Sequence, residues 1–524
     1  MNKNTVMFVV LSAVTIFLWY FFVPQPKPQS RQQQNREQSY QQQNQQTAHE
    51  ITPADKTVIK DNLQIQEEPL TVETPLYRAV FTNKGAAVMS WSIKEKSGKW
   101  VDLVLPQAAP VMANFPGSVY KIVSKSDEKI VFEHVSEQGW KVTKTFTLSP
   151  SSYMHNVSVK LEKTKEEASF PPFELEWGPG LGTDTKELRE NMTVTRALAF
   201  TIAEPGRSGR LVKLKKDPVP ASLHAWAAVD NRYFLAAFIP EKPSDFDEIV
   251  PSRQDKKHPF SIALTAVVPK DVSSKEYSID FYLGPKGYTF LRSYGHGLES
   301  AVDFGFFGFL GKIAFWALSH LYKVTNNYGW AIIILTVIIQ ILVLPLTLKS
   351  FKAAAAMKRI QPMIKEIQDK YKDQPQRLQA EMLNVYKSQK VNPLGGCLPM
   401  LLQLPIFWAF FTMLRNAYEL RNEGWILWVK DLSAADQFMQ FGSFNLNLLP
   451  LIMGIGMFFQ QKMTAATSDP TQRRIMYIMP IVFTFMFWTF PSGLVLYWLT
   501  NSVISMIEQY FVIKKDTAAQ VKHA

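Results

Sequence analysis

The chain is poor in the residues that usually mark metal and redox chemistry. Its 524 residues include one cysteine, Cys397, so it can form neither an intramolecular disulfide nor a cysteine metal cluster. Its eight histidines lack the spacing of metal ligands, and neither a Walker A run nor a His-Glu-x-x-His motif occurs. We therefore expect no metal, no cofactor and no enzymatic activity.

Acidic residues are fewer than basic ones. The 57 Lys and Arg against 45 Asp and Glu give a net charge of +12. Such an excess fits binding to nucleic acid, binding to anionic lipid, or a membrane protein with positive cytoplasmic loops. Much of this charge lies beside long apolar segments, which favours the membrane protein.

Two different segments open the chain. Residues 6–23 are apolar and uncharged, which predicts a signal-anchor span over residues 1–24, with a cleaved signal peptide as the alternative. Lys3 favours a cytoplasmic N-terminus. Residues 25–60 are rich in Gln and Pro and have little to bury, so we expect a disordered tether there.

Residues 61–300 change to a period of two. Alternating runs separated by turn residues are typical of a β-sandwich. After one span from a cytoplasmic N-terminus, this domain should be extracytoplasmic. The predicted strands are residues 70–72, 77–82, 88–93, 129–135, 141–148, 157–161, 173–177, 233–238, 262–268 and 277–283.

Apolar segments return after residue 300. Residues 301–327 are aromatic but interrupted by charges, which predicts an amphipathic helix at the interface, with a true span as the alternative. Positive charge near their ends predicts six spans in all, with both chain termini cytoplasmic. The later spans are residues 330–346 (domain 328–348) and residues 398–418, 446–459, 475–490 and 494–513 (domain 393–513), followed by a tail at 514–524.

Residues 349–392 form a basic segment between two spans. Its apolar residues recur at helical spacing on both sides of Asp373-Gln374-Pro375, which predicts a helical hairpin. The charge could simply be a solvated face beside anionic lipid, or it could dock an acidic partner. The candidate docking residues are Lys358, Arg359, Lys365, Lys370, Lys372 and Arg377.

Polar residues within the apolar segments are costly to bury and therefore informative. Each could simply form a hydrogen bond between helices. Together they indicate a polar surface facing a wet cavity, and their lack of charge argues against an ion or proton relay. They include Thr336, Gln340, Gln403, Thr484, Thr489, Tyr497, Thr500, Asn501 and Ser505, while Glu508 is the one acid of the last span.

Several motifs, in order and spacing, resemble the YidC/Oxa/Alb family of membrane protein insertases, in its Gram-negative form. The resemblance covers nearly the whole chain. The motifs are Tyr328-Gly329-Trp330, Pro345-Leu346-Thr347, residues 390–397 (KVNPLGGC), residues 403–407 (QLPIF), Leu427-Trp428, Asp431-Leu432-Ser433, residues 457–463 (MFFQQKM) and residues 490–497 (FPSGLVLY).

The resemblance implies a polytopic α-helical membrane protein with six spans, a five-helix core and an extracytoplasmic β-supersandwich domain. It implies an inner-membrane insertase and chaperone for nascent membrane proteins, working alone or with the Sec translocon and without nucleotide hydrolysis. The ribosome and the signal-recognition-particle receptor are possible partners of the hairpin. The phospholipid bilayer is the other partner, and a monomer should suffice.

The family resemblance also assigns roles to residues. A groove open to cytoplasm and lipid would include Thr336, Gln340, Trp498 and Asn501. A slide for the passenger's apolar helix would include Gln403, Leu404, Pro405, Ile481, Thr484 and Met486. The family usually has an arginine at the place of Gln340, so this groove would be polar without that charge.

Two other classes compete with an insertase. A polytopic transporter with an external sensor domain would show an internal repeat and a charged site at the midplane. The sequence has neither. An enzymatic role for the external β domain would rest on fold analogy alone, which does not carry function.

Overall fold

The structure is a computed structural model. It describes residues 68–106, 108–183, 194–202, 209–253, 258–391, 398–441, 444–464 and 470–521. The predicted N-terminal span and tether, and residues 392–397, lie outside these ranges. By internal contacts, residues 362–390 belong to one compact unit, and the described parts of 59–361 and 391–524 belong to another.

Strands make up most of the described chain before residue 286. Their alternating apolar residues face a common interior, as in β7, where Val142 and Phe146 are fully buried. The strands are β1 (Pro69–Glu73), β2 (Tyr77–Thr82), β3 (Ala87–Lys94), β4 (Trp100–Asp102), β5 (Lys121–Lys125), β6 (Lys129–Val135), β7 (Trp140–Thr147), β8 (Met154–Lys163), β9 (Phe173–Trp177), β10 (Arg196–Thr201), β11 (Leu211–Leu214), β12 (Val219–Pro220), β13 (His224–Asp230), β14 (Phe234–Pro240), β15 (Glu248–Ser252), β16 (Ser261–Ala266) and β17 (Ser274–Pro285).

The strands form one large sheet and two smaller ones. The large antiparallel sheet has the order β11-β10-β13-β14-β17-β8-β7-β6-β5, and the smaller sheets are β1-β2-β3-β4 and β12-β15-β16-β9. Trp91 of β3 lies 6.0 Å from Phe281 of β17, and Phe173 of β9 stacks 4.3 Å from Tyr277 of the same strand. Residues 277 and 281 point to one side of β17. Both smaller sheets therefore cover the same face, which confirms the predicted sandwich.

Helices follow the β domain. They are α1 (Tyr288–Tyr294), α2 (Gly308–Thr325), α3 (Tyr328–Lys370), α4 (Pro375–Ser388), α5 (Leu398–Asn416), α6 (Leu448–Thr464), α7 (Pro470–Met486) and α8 (Ser492–Val521). A small hairpin of β18 (Met439–Phe441) and β19 (Phe444–Leu446) precedes α6.

Local chemistry sets several helix ends. Asn326 ends α2 in the left-handed region at φ 48°, where asparagine is tolerated. Asn327 then accepts the backbone N–H of Trp330 and caps the start of α3. Pro375 begins α4, as its fixed φ favours, so the predicted break before it is correct. Helix α3 continues through the predicted boundary at 348/349 between the span and the basic segment.

Membrane-spanning character is clearest in α3. In the part of the chain that the structure describes, α3 alone is long and apolar enough to cross a membrane, and a shorter apolar helix covers Met476–Thr489. The count of six spans therefore stays a prediction. Helix α2 has two faces: Phe309 and Trp316 are largely exposed, while Phe315 and Leu318 are buried. This is the pattern predicted for an interfacial helix.

Buried charge ties the β domain to the segments that lead into the helices. Asp230 is fully buried, accepts a hydrogen bond from Lys286 at 2.8 Å and pairs with the Arg196 guanidinium. Arg196 also reaches Asp303, just before α2, at 2.8 Å. This network holds the chain in place where it leaves the β domain.

A second buried pair lies beyond α5. The Arg421 Nε donates to Glu95 Oε1 at 2.6 Å, and both side chains are almost fully buried. The guanidinium also lies 4.6 Å from the Tyr233 ring, which is the geometry of a cation–π contact. The segment after α5 is thereby fixed against the β domain.

Candidate functional site: a polar surface on α3 and α8

Helices α3 and α8 approach each other at two places and run in the same direction. Near their N-terminal ends, a Cβ added at Gly493 would lie 3.3 Å from Ile332 Cδ1. Fifteen residues further along both helices, Thr347 Oγ1 donates to Glu508 Oε2 at 3.3 Å. The two contacts are fifteen residues apart on α3 and fifteen residues apart on α8. The two helices therefore keep the same register over about 22 Å.

This alignment brings predicted groove residues to common levels. Gln340 lies seven residues before Thr347, and Asn501 lies seven residues before Glu508, so the two amides share one level of the pair. One turn closer to the N-terminal ends, Thr336 is level with Tyr497. The sequence identified these polar residues, and the helix alignment puts them on adjoining turns.

The polar residues on this surface are buried from solvent. Thr336, Gln340 and Asn501 are at most 7% exposed. The Oδ1 atom of Asn501 and the Oγ atom of Ser502 have no hydrogen-bond partner among the described residues. A buried polar atom without a partner costs about 1–3 kcal/mol. Asn501 Oδ1 is therefore an unsatisfied acceptor among the described residues of this surface.

The hydroxyl groups of three threonines donate hydrogen bonds to carbonyl groups of their own helices. Thr336 donates to the Ile332 carbonyl at 2.7 Å, Thr484 to the Pro480 carbonyl at 2.8 Å, and Thr500 to the Leu496 carbonyl at 2.8 Å. Each bond runs to the residue four positions earlier, the usual internal bond of a helical threonine. For these three hydroxyls, the simpler expectation of a bond between helices is wrong.

Trp498 joins three elements in an aromatic cluster. Its ring centroid lies 5.0 Å from Phe407 of α5, 5.9 Å from Phe483 of α7 and 5.4 Å from Phe487, which follows α7. The preceding residue, Tyr497, stacks on Phe410 of α5 and contacts the Gln403 side chain. Aromatic packing therefore holds α5, α7 and α8 together at one end of the polar surface.

The predicted slide residues fall into two groups. On α5, Gln403, Leu404 and Pro405 are half-buried, and Gln403 reaches Tyr497. On α7, Ile481 and Met486 are exposed, whereas Thr484 is buried. Phe407, which follows the first group on α5, contacts Phe487, which follows the second group on α7.

Thr484 is buried because α6 approaches α7 very closely. A Cβ added at Gly454 of α6 would lie 2.0 Å from Thr484 Oγ1. Small residues allow such close helix contacts. Beside this contact is an open, almost wholly apolar cavity of about 710 Å³. Its lining includes Leu451, Ile455, Phe458, Pro480, Ile481 and Phe485.

The basic residues of the hairpin are all exposed. Lys358, Arg359, Lys365, Lys370, Lys372 and Arg377 have solvent-exposed side chains. Arg377 donates to Gln374 at 3.2 Å, and the ammonium group of Lys370 lies 5.4 Å from the Tyr371 ring. The apolar side of α3 turns inward here, with Ile364 buried. The predicted apolar face is thus buried on α3, whereas α4 has no buried residue.

Sequence reasoning missed two parts of this region. Ser502 is almost fully buried next to Asn501, but a single serine in an apolar segment carries little signal. Gly454 was also missed, since its role depends on its distance to α7. In contrast, His, Cys, Asp and Glu form no group able to hold a metal within the described residues.

Family models cover most of the chain. Residues 102–317 match the model of the YidC periplasmic domain, and residues 320–519 match that of the 60Kd inner membrane protein. Membrane protein insertase YidC of Endomicrobium trichonymphae is 66% identical over 524 residues, the full length of both chains. The chain belongs to the YidC family of membrane protein insertases.

Other relatives agree with this membership. Membrane protein insertase YidC of Syntrophus aciditrophicus is 33% identical, over 98% of this chain and 100% of its own length. A solved structure of an active YidC insertase with its first transmembrane domain resolved aligns at 20% identity and a TM-score of 0.40, over 85% of this chain and 93% of that one. By its membership in this family, the chain is a membrane protein insertase and not an enzyme.

Proposed function

We propose that the polar surface on α3 and α8 is the groove that receives the hydrophilic flank of a passenger during insertion. The observation that supports this most is the shared level of Gln340 and Asn501, with the Asn501 Oδ1 atom left without a partner. A polar backbone in hydrocarbon needs partners, and each one left without costs several kcal/mol. Neutral amides and hydroxyls can supply these partners and then release them.

The passenger's apolar helix leaves toward lipid along α5 and α7. The half-buried Leu404 and Pro405 and the exposed Ile481 and Met486 offer it an apolar surface. No nucleotide is hydrolysed. Burial of the passenger's apolar side chains in lipid drives the step, at about 25 cal/mol per Å².

The topology that suits this groove has six spans. The basic residues of the 349–392 segment, Lys462 and Lys514 favour a cytoplasmic hairpin, loop after α6 and C-terminus, as Lys3 favours a cytoplasmic N-terminus. The β domain is then periplasmic, and α2 rests its exposed Phe309 and Trp316 at the outer interface.

Partners follow from this topology. The exposed basic residues of the hairpin, Lys358 to Arg377, suit an acidic surface such as ribosomal RNA or the signal-recognition-particle receptor. The Sec translocon would act beside the groove for passengers with large external parts. One copy of the chain holds both polar helices, so a monomer suffices.

Crosslinking tests the groove directly. A photo-crosslinker at position 340 or 501 of the full-length protein should react with a stalled nascent membrane protein. The matched control is position 342, because Leu342 is on the same helix, two residues on, and is 74% exposed. Crosslinks to the passenger from 342 but not from 340 or 501 would overturn the proposal.

A further inference from the structure

Glu508 is the acidic side chain at the contact between α3 and α8. It is half-buried, and its Oε2 atom accepts the hydrogen bond from Thr347 described above. Thr347 is itself almost fully buried. The carboxyl group is therefore held on the same pair of helices that carries Gln340 and Asn501, two turns further toward their C-terminal ends.

The sequence of α3 indicates where this contact lies relative to the apolar layer of the membrane. The apolar run of α3 ends at Leu346, and its first lysine, Lys349, follows three residues later. Thr347 lies between them, so Glu508 is held where the apolar layer ends. In inserted membrane proteins, lysine and arginine are concentrated at this boundary on the cytoplasmic side.

Within the residues that the structure describes, the Glu508 carboxyl group has no basic partner. No lysine or arginine nitrogen of the described side chains lies within 4.0 Å of Glu508. Lys349 and Lys352, the nearest basic residues along α3, are exposed. A half-buried carboxylate whose described partner is a neutral hydroxyl favours a cation that arrives from outside, through a charge-assisted hydrogen bond.

We propose that Glu508 binds the lysine or arginine that flanks a passenger's apolar segment on the cytoplasmic side. The carboxylate holds that cation at the boundary while the preceding apolar helix moves into lipid. It makes the protein select passengers with basic cytoplasmic flanks. The other polar residues of this surface are neutral, so Glu508 is the residue that distinguishes passengers by the charge of their flanks.

This inference rests on the proposed groove, and the test separates the two. Full-length protein is reconstituted in vesicles of phosphatidylcholine, which lack anionic lipid and its own attraction for lysine. Three single-span passengers differ only in two residues after the apolar segment: two lysines, two glutamines or two glutamates. The rate at which each becomes protease-protected is compared with that in empty vesicles.

The unaltered protein should insert the lysine passenger about threefold faster than the glutamine passenger, the effect of a partly exposed ion pair. Glu508→Gln keeps an oxygen for Thr347 and should bring this ratio to about one. Glu508→Lys should reverse the preference and favour the glutamate passenger. High salt should weaken the ratio in the unaltered protein, because it screens exposed charges.

Thr347→Val is the matched control, because it removes the hydrogen bond but keeps the carboxylate. It should keep the preference for the lysine passenger. If Thr347→Val and Glu508→Gln lost the preference for the lysine passenger equally, the hydrogen bond between the two residues would have only a structural role. That result would overturn the proposal. Equal rates for all passengers in the unaltered protein would overturn it too, while leaving the groove standing. Rates no faster than in empty vesicles would overturn both.

Discussion

The β domain and the helical region bury polar side chains in different ways. The β domain buries ion pairs: Asp230 with Lys286 and Arg196, and Glu95 with Arg421 from the segment after α5, whereas the buried Lys144 donates to the Met112 carbonyl. The surface of α3 and α8 buries neutral groups such as Gln340 and Asn501. Buried pairs are hard to break because each partner left behind is an uncompensated charge. Neutral groups can exchange partners, which suits a surface that passengers cross.

The largest expected effect comes from breaking a buried pair. Asp230→Asn leaves Lys286 and Arg196 without a full counter-charge, so it should lower the free energy of unfolding of the β domain by about 3–5 kcal/mol. Hydrogen exchange of β-domain amides in the full-length protein measures this. Asp280→Asn is the control, since half-buried Asp280 accepts one bond from Asn156 and should cost about 1 kcal/mol. Similar losses for both would contradict the distinction.

A smaller effect should come from a buried base without a counter-charge. His155 packs 4.9 Å from Tyr77 and 5.0 Å from Trp91, and its Nδ1 accepts the Ser149 N–H. Burial lowers the pKa of His155 to about 3, from 6.5. Below pH 6.5 the unfolded chain binds a proton that the folded chain does not, so stability falls toward pH 3. Between pH 7 and 5 the loss should be about 2 kcal/mol.

Hydrogen exchange at several pH values checks this slope. His155→Asn keeps an acceptor near the position of Nδ1 but does not titrate. It should be less stable at pH 7, yet lose little more at pH 5. An unchanged slope in the variant would assign the acid sensitivity to other groups.

The helical region should be more sensitive to packing than to charge. Gly454→Ala adds a methyl group against Thr484 Oγ1 and should destabilise by about 1–3 kcal/mol. Thermal unfolding in detergent measures the change. Gly456→Ala, two residues on, adds a methyl group 3.8 Å from Leu499 and should be neutral or slightly stabilising. A tolerated Gly454→Ala would mean that α6 and α7 separate easily.

The smallest effect should come from adding a charge to the neutral surface. Gln340→Arg should raise the insertion rate of passengers with acidic flanks about threefold relative to neutral ones at low salt. Insertion into proteoliposomes gives this ratio for each protein. An unchanged ratio would mean that the charge at this level is not sensed by the passenger.

Local pattern explains which elements were predictable. The strands at residues 77–82, 129–135 and 173–177 match their predicted bounds, because one face is buried and the sequence alternates. β13 was not predicted, and β14 was predicted only approximately. Most residues of both strands are buried on both faces, so apolar and polar residues do not alternate along them. The break before Pro375 was predictable from its fixed φ, whereas the continuity of α3 was not.

The sequence by itself determined the division into a period-two domain and apolar helices, and it identified Thr336, Gln340 and Asn501 as costly polar residues. Periodicity and burial cost are local properties, so they can be read from neighbouring residues. Only the tertiary structure decided that Gln340 and Asn501 share a level, that Thr484 is buried against Gly454, and that Glu95 pairs with Arg421. Those facts depend on how distant helices and strands align, which no local pattern encodes.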